Sequence, residues 1–227
     1  MTEQLQHLFE PRTIAIVGAS NIKMKWGYIV PANILAGGWK GTLYPVNPKG
    51  GEIFDRKVYK SVLDIPDEID LAVVTIPAEH VLGVVKECIA KDVRNCIVIS
   101  GGFSETEEGK ALEKQVTKAV EASEMRLVGP NTMGIYSGPV NLHALMPPVR
   151  PVAGKIAFAA QSGNLGTQML SLGKALGVGF SRFVCIGNEA DLKAADYLEY
   201  FADDPASEVI LLYIEGLRAA RRFIEVS

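Results

Sequence analysis

Short runs of apolar, often β-branched residues alternate along the chain with longer stretches that place an apolar residue at every third or fourth position. Most of the short runs are continuous, which is typical of parallel strands buried on both faces. Alternation of strands and helices in this way predicts doubly wound α/β sheets. The predicted strands are Thr13–Val17, Thr42–Val46, Leu71–Ile76, Cys96–Ser100, Arg126–Val128, Lys155–Ala160, Phe183–Ile186 and Val209–Ile214.

Local signals locate several helices between these strands. His80–Lys91 carries one broad apolar stripe, as expected of a helix packed on a sheet. Ser104 stands three residues before Glu107, the spacing of a capping box, and predicts a helix that begins there. Asp191 is predicted to cap the helix that follows it.

The alternation stops where three prolines, Pro147, Pro148 and Pro151, occur within five residues. Proline interrupts helices and central strands, so we expect a linker at 147–154. It would separate a domain at 1–146 from a second at 155–227. Only three predicted strands follow the linker, too few for a well-buried core, so the second domain is expected to be incomplete or completed by another chain.

Composition narrows the class of protein. Apolar residues make up 48% of the chain and the net charge is -3, which argues against disorder and against a nucleic-acid partner. Cys88, Cys96 and Cys185 form no CxxC pair and are expected to be reduced thiols in a cytoplasmic protein. The chain shows no signal-peptide pattern and no apolar run long enough to span a membrane, so no membrane association is expected.

Parallel sheets bind ligands at the carboxyl ends of their strands, so the first of these loops is a candidate site. Gly18 and Ser20 follow the first strand, and Gly27 opens the next helix, whose free N–H groups suit phosphate. The spacing is not GxGxxG, and Lys49 stands where an NAD site would carry an acidic residue. NAD is therefore disfavoured, while Lys49 suits a phosphate on the ribose. The alternative is a tight turn without a ligand.

The next strand ends add further candidates. Pro77 suits the start of a helix, and Gly101 and Gly102 allow a ligand to approach the backbone closely. Phe103 is interpreted either as a ring that stacks on a base or as a core aromatic. Asn131 offers a donor and an acceptor to a ligand, or bonds to its own turn.

The second half repeats this arrangement. Ser162 and Gly163 begin a helix, a candidate anion site. Glu215 follows a buried strand and is a candidate functional carboxylate, or an exposed loop residue. No GxSxG elbow is present, which excludes an α/β-hydrolase triad.

Basic residues elsewhere carry weaker signals. Among the histidines His143 is the one expected near a cleft, and none has the spacing of a metal ligand, so no metal site is predicted. Arg218, Arg221 and Arg222 are interpreted as a solvated helix face.

The strand ends carry an ordered series of motifs: VGAS, YPVNPKG, VTIPAEH, SGGFSE, GPNTMG, QSGNLGT, GNEADL and YIEGL. Over residues 8–227 this series resembles the NDP-forming acyl-CoA synthetases. That family includes the ADP-forming acetyl-CoA synthetases and is related to the α subunit of succinyl-CoA synthetase. The resemblance implies a Rossmann-like CoA-binding domain followed by a flavodoxin-like domain.

The resemblance also implies roles for residues. CoA would be cradled by the loop at Gly18 and Ser20, by Lys49 and Pro77, and by residues 101–103, with its thiol end near Asn131. A phosphate would lie at Ser162 and Gly163, and Glu215 would orient a phosphohistidine. Since five strand-end loops with features suited to phosphate and base lie before the linker, we also expect residues 1–146 to bind CoA on their own.

Two departures limit what is expected of this chain. Thr132 stands where the family usually has cysteine, and the family's phosphorylated histidine lies further along than Ser227. The ATP-grasp domain that would use ADP or ATP with Mg is missing too. We therefore expect CoA or acyl-CoA binding without turnover, and an ATP-grasp subunit or C-terminal domain as partner, in an assembly that could be oligomeric.

Three other functions stay open on the sequence alone. The chain could be a stand-alone CoA-binding module or part of a protein acetyltransferase. An NADP-dependent reductase is disfavoured, because GxGxxG and a proton-donating Tyr–Lys pair are missing.

Overall fold

The computed structural model describes residues 2–227, which form two five-stranded sheets and a two-stranded ribbon. The helices of this part of the chain are α1 Thr2–Phe9, α2 Trp26–Gly37, α3 Ala78–Ala90, α4 Glu107–Glu121, α5 Gly163–Leu176, α6 Ala194–Asp203 and α7 Ala220–Val226. Its strands are β1 Thr13–Val17, β2 Thr42–Val46, β3 Glu52–Ile53, β4 Arg56–Lys57, β5 Leu71–Val74, β6 Asn95–Val98, β7 Arg126–Val128, β8 Gly134–Ser137, β9 Leu142–Leu145, β10 Ala153–Ala160, β11 Phe180–Cys185 and β12 Val209–Tyr213.

The first sheet has the order β2-β1-β5-β6-β7, and all its pairings are parallel. The chain changes its direction of travel across the sheet between β1 and β5, which makes the gap between their carboxyl ends the switch point of a doubly wound sheet. The predicted strands at Thr13–Val17, Thr42–Val46 and Arg126–Val128 have the predicted bounds. The predicted doubly wound α/β class is confirmed.

The second sheet has the order β12-β10-β11-β8-β9. Its first three strands are parallel, whereas β8 and β9 form a hairpin that adds antiparallel to β11. The expectation of three strands for this sheet is wrong, because the hairpin precedes the predicted linker in sequence. The switch point of the second sheet lies between the carboxyl ends of β10 and β12.

The two sheets share one hydrophobic core. Helices α1, α2 and α6 lie between them, and Leu8, Ile34 and Phe201 of these helices belong to the same buried cluster as Ile16 of β1 and Ala159 of β10. Helices α3 and α4 cover the other face of the first sheet, and α5 covers the other face of the second. Each half of the chain thus buries apolar surface of the other half in this common core.

The predicted linker is held in place by α2. The buried Asn33 donates its amide to Leu145 O at 2.8 Å and to Pro147 O at 3.3 Å. Arg150 donates to Asn33 O at 3.0 Å. A division of the chain at 147–154 stays a prediction, and the hairpin at 134–145 shows that residues before it already pair with the second sheet.

Two predicted helix caps are wrong. Thr106, not Ser104, is the N-cap of α4, and its hydroxyl accepts from Gly109 N at 3.0 Å. Asp191 does not cap α6; its carboxylate binds Arg126 at 2.9 and 3.1 Å and accepts from Leu127 N at 2.8 Å. The partners of Asp191 are distant in sequence, which is why local spacing misassigned it.

The cysteines Cys88, Cys96 and Cys185 are free and buried. Within residues 2–227, no helix combines the length and the apolar character that a membrane crossing requires.

Candidate functional site

The carboxyl ends of both sheets open into one cleft of about 1370 Å³. Its walls include strand-end loops from each half of the chain. Most of the predicted site residues line it, namely Gly18, Gly27, Pro77, Gly101, Asn131, Ser162, Gly163 and Glu215. These residues therefore lie together at the carboxyl ends of both sheets, and their binding roles stay predictions.

The loop after β1 requires glycine at two positions. Gly18 has a φ of +89°, a conformation that other residues rarely adopt. A Cβ on Gly27 would lie 1.9 Å from Gly18 O, so the first turn of α2 abuts the loop. Ser20 does not line the cleft; its hydroxyl accepts from Ile22 N at 3.1 Å and its N–H donates to Gly27 O at 3.1 Å. Ser20 shapes this loop.

Lys49 is exposed and lies outside the cleft lining. Its N–H donates to Asn47 Oδ1 at 3.0 Å, and Asn47 itself lines the cleft and donates to Ala19 O at 2.9 Å. Lys49 thus lies two residues along the chain from Asn47 of the cleft wall, and its predicted contact with a ligand stays a prediction.

The loop after β6 is closed by a carboxylate that the sequence analysis missed. Glu105 Oε2 accepts from Gly102 N and Phe103 N, both at 2.8 Å, so these N–H groups are already bonded. The Phe103 ring is fully buried, so the base-stacking role is wrong and the core role is correct. Burial alone would raise the pKa of Glu105, but hydrogen bonds from Asn188, Phe103 N and Gly102 N lower it.

Asn131 is held in an unusual backbone conformation at the cleft. Its φ is +60°, it follows a cis Gly129–Pro130 bond, and its N–H donates to Ser100 O at 3.0 Å. Its side-chain amide donates to Asn188 Oδ1 at 3.4 Å. Asn188 in turn donates to Glu113 Oε2 at 2.8 Å, which ties the β11 loop to α4.

Thr132, which stands where the resembled family usually has cysteine, is buried. Its hydroxyl donates to Cys185 O and accepts from Gly134 N at 3.1 Å. These bonds leave no free donor for a ligand.

On the second sheet, Ser162 caps α5, with its hydroxyl accepting from Leu165 N at 3.4 Å. A Cβ on Gly163 would lie 2.4 Å from Met133 Cγ, so only glycine fits between the loops. Ser162 and Gly163 therefore present backbone to the cleft from a fixed position.

Glu215 is exposed in the cleft, and its loop is held by Gln161, a residue that the sequence analysis did not single out. Gln161 Oε1 accepts from Glu215 N at 2.5 Å and from Gly216 N at 3.0 Å. Gln161 Nε2 donates to Gly216 O at 2.7 Å and to Glu189 Oε2 at 2.9 Å. Glu189 is 3% exposed and its other oxygen accepts from Ala194 N at 2.8 Å.

Two basic residues also line the cleft: Lys25, at the N-cap of α2, and Arg218. Their positions in the sequence could have indicated this. Lys25 stands two residues before the candidate Gly27, and Arg218 stands three residues after the candidate Glu215. Neither has an ion-pair partner within residues 2–227. Arg218 is exposed, as predicted, but it precedes α7 and lines the cleft. Arg221 pairs with Glu225, and Arg222 pairs with Asp196.

The histidines all lie away from the cleft lining. His143 is buried in β9 with its ring 4.9 Å from that of Tyr136, so its expected position near the cleft is wrong. Burial, aided by the charge of Arg150, lowers the pKa of His143 to about 4. His7 Nδ1 lies 3.2 Å from Asp70 Oδ1, and His80 is exposed on α3.

Comparison with known protein families gives two matches. Residues 12–138 match the family described as a CoA binding domain. Residues 153–227 match the family described as a succinyl-CoA ligase like flavodoxin domain.

Curated relatives are CoA ligases. The chain is 42% identical to the α subunit of ADP-forming acetate–CoA ligase I of Pyrococcus furiosus, over 98% of this chain and 49% of that subunit. It is 36% identical to the ADP-forming 4-hydroxybutyrate–CoA ligase of Nitrosopumilus maritimus, over 96% of this chain and 32% of that protein. The chain spans about half the length of the first relative and about a third of the second.

Among solved structures, the chain is similar to dinucleotide-forming acetyl-coenzyme A synthetase 1 of Ca. Korarchaeum cryptofilum in complex with phosphate and ADP. The TM-score is 0.95 and the identity 38%, covering 100% of this chain and 49% of that one.

Proposed function

Since the chain belongs to the NDP-forming acyl-CoA synthetase family, we propose that it is the CoA-binding portion of such an enzyme. The observation that carries the proposal is the convergence of both switch points on one cleft. Doubly wound sheets bind ligands at their switch points, so one elongated ligand can contact both halves. CoA, with phosphates at one end and a thiol at the other, has that form.

The first half would hold the nucleotide end of CoA. The start of α2 offers backbone N–H groups to a phosphate. The N–H groups of Gly18, Ala19 and Ser20 are bonded to Val46 O and Gly27 O, so this loop shapes the site and lies against the first turn of α2. Lys25 and Lys49 supply positive charge on either side of that loop. Pro77 and Gly101 line the path towards Asn131, where we place the thiol end.

The second half would hold phosphate. The N-terminus of α5 at Ser162 and Gly163 favours an anion, and the named phosphate complex of the similar Korarchaeum synthetase supports a phosphate-using reaction for that relative. Glu215 would accept a hydrogen bond from the imidazole of a phosphorylatable histidine and so orient it.

The complete reaction would need further parts. Acyl-CoA and phosphate would give acyl phosphate and CoA; the acyl phosphate would phosphorylate a histidine, which would pass the phosphoryl group to ADP. An ATP-grasp subunit or domain would bind the ADP with Mg. This chain would supply positioning and electrostatic stabilisation to that transfer.

Two aspects of the proposal concern the chain as a whole. A cytoplasmic location is compatible with the free cysteines. Of the alternatives, a stand-alone CoA module would use the first-half residues alone, so the second-half cleft residues favour a ligase.

Calorimetry on the whole chain tests CoA binding against the reductase alternative. CoA should bind more tightly than NADP; equal or tighter NADP binding would remove the proposal. Lys25→Ala should weaken CoA about tenfold, as expected for one charged hydrogen bond, since Lys25 lines the cleft. If Lys49 contacts the ribose phosphate, Lys49→Ala should weaken CoA but not dephospho-CoA.

A further inference from the structure

Arg218 differs from the other arginines of the chain. Every other arginine has a hydrogen bond or an ion pair, whether at the surface or in the core; these are Arg12, Arg56, Arg94, Arg126, Arg150, Arg182, Arg221 and Arg222. Within residues 2–227, Arg218 has neither, although it is exposed on the cleft wall together with Ser162 and Glu215. Its five donors are therefore available to a ligand.

The backbone that carries Arg218 is anchored on both sides. On one side, Gln161 binds Glu215 N at 2.5 Å and Gly216 N at 3.0 Å. On the other, Arg222 contacts Glu199 Oε2 at 2.7 Å and also pairs with Asp196, which fixes α7 against α6. A short segment held at both ends fixes the backbone from which the Arg218 side chain extends, which lowers the cost of ordering that backbone on binding.

Lys193 is the cation whose titration feels the charge of Arg218. Lys193 donates its ammonium to Ala190 O at 3.3 Å and to Glu189 O. Burial lowers the pKa of Lys193; the carboxylate of Glu189 opposes this effect, and the charge of Arg218 adds to it. The carboxylates of Glu189, Asp191 and Asp196 balance the charge of Lys193, whereas Arg218 has no ion-pair partner within residues 2–227. An anion beside Arg218 would stabilise its charge.

We propose that Arg218 binds a phosphate or phosphoryl dianion on the second-sheet side of the cleft. The planar guanidinium matches two oxygens of a tetrahedral phosphate, a geometry that lysine cannot reproduce. The inference rests on the proposed function insofar as the anion is the phosphate of the ligase reaction. Arg218 thereby offsets the repulsion that the exposed Glu215 carboxylate exerts on the same anion.

The phosphate could come from inorganic phosphate or from CoA itself, and separate titrations distinguish these sources. Inorganic phosphate is titrated calorimetrically into the whole chain at constant ionic strength. Arg218→Gln should weaken phosphate binding about tenfold, the effect of one charged hydrogen bond, and Arg218→Lys should recover part of the loss. Arg221→Gln is the matched control, because Arg221 lies three residues away, is exposed and pairs along α7 with Glu225. It should stay within about twofold of the unaltered chain.

CoA titrations of the same variants complete the test. CoA affinity should be the same in Arg218→Gln and in the unaltered chain. Equal phosphate losses in Arg218→Gln and Arg221→Gln would overturn the proposal, as would the absence of phosphate binding in the unaltered chain. A loss of CoA affinity in Arg218→Gln would assign the residue to CoA and also overturn it. Failure of CoA binding in the unaltered chain, with the phosphate results as expected, would instead remove the proposed function.

Discussion

At the scale of single residues, Gly27 is the position where the cleft depends most directly on the absence of a side chain. Gly27→Ala would place a methyl group 1.9 Å from Gly18 O, which the backbone can relieve only by moving the loop. We expect the free energy of unfolding to fall by about 1–3 kcal/mol, the usual cost of overpacking. Urea denaturation measures this, and CoA affinity should fall with it.

Gly83→Ala is the control for that substitution. Gly83 also lies in a helix, but a Cβ there meets nothing within 4 Å. Removing a helical glycine should stabilise the chain by about 1 kcal/mol. A gain of stability in Gly27→Ala similar to that in Gly83→Ala would show that helix propensity, not the contact with Gly18 O, dominates at Gly27.

His143 predicts a pH dependence of stability. Its folded pKa, about 4, lies below the ordinary 6.5, so between these values the unfolded chain binds a proton that the folded chain does not. The contribution of neutral His143 to the free energy of unfolding is therefore fully present above pH 6.5. It is lost as the pH falls towards 4, by up to about 3 kcal/mol. Denaturation at pH 7.5 and 4.5 should show a smaller loss in His143→Phe than in the unaltered chain.

The exposed His80 supplies the comparison for His143. His80→Gln should keep the full loss of stability on acidification. If His143→Phe also kept it, the acid sensitivity would arise from carboxylates elsewhere in the fold.

At the scale of elements, the loop after β11 protects the edge of the first sheet. Asp191 accepts from Leu127 N at 2.8 Å, and Leu192 N donates to Leu127 O at 3.3 Å, so both outward-facing groups of this β7 residue are satisfied. Asp191 also binds Arg126 through two hydrogen bonds. The loop covers the strand edge with residues from the other half of the chain.

Asp191→Ala should therefore be costly. It leaves Leu127 N and a largely buried Arg126 without their carboxylate, and we expect a loss of about 2–4 kcal/mol in urea denaturation. Glu225→Ala removes an exposed pair with Arg221 and should change stability by less than about 0.5 kcal/mol. Equal effects would mean that the edge contact contributes nothing beyond a surface ion pair.

The strands whose bounds could be predicted from sequence are short runs in which apolar residues predominate. β1 and β2 are continuous runs and have the predicted bounds. β11 begins at Phe180 instead of Phe183, because the charged Arg182 within it is buried at 1% exposure. Its charge is balanced by Asp204 and Glu10, partners too distant in sequence for a local pattern to reveal.

The β8–β9 hairpin was missed for a related reason. Its strands are four residues each, and their fit depends on β11, which lies about 40 residues further along the chain. In the candidate site, too, local features were predictable and contacts between distant residues were not. Glycines and strand-end positions were predictable from loop geometry, whereas Gln161, Glu189 and Asn188 act through hydrogen bonds between different strand ends.

At the scale of the whole molecule, the shared core makes the cleft a property of both halves together. Helices α1, α2 and α6 pack between the sheets, and the hairpin before the predicted linker completes the second sheet. The expectation that residues 1–146 bind CoA on their own is therefore unsupported by the packing, since that segment would lose the cover of its core and of the β7 edge. Binding experiments belong on the whole chain.

The whole chain, although it should bind CoA, is not expected to form ATP. A phosphoryl relay through histidine needs an imidazole at the cleft, and His7, His80 and His143 all lie outside its lining. With acetyl-CoA, phosphate and ADP present, a luciferase assay should detect no ATP above the protein-free background, in the same buffer in which calorimetry registers CoA binding. Phosphorylation of the chain by acetyl phosphate should be equally undetectable by mass spectrometry. ATP formation that persisted in a chain with all three histidines replaced would mean that another cleft residue carries the phosphoryl group, and the role proposed for Glu215 would then have to be withdrawn.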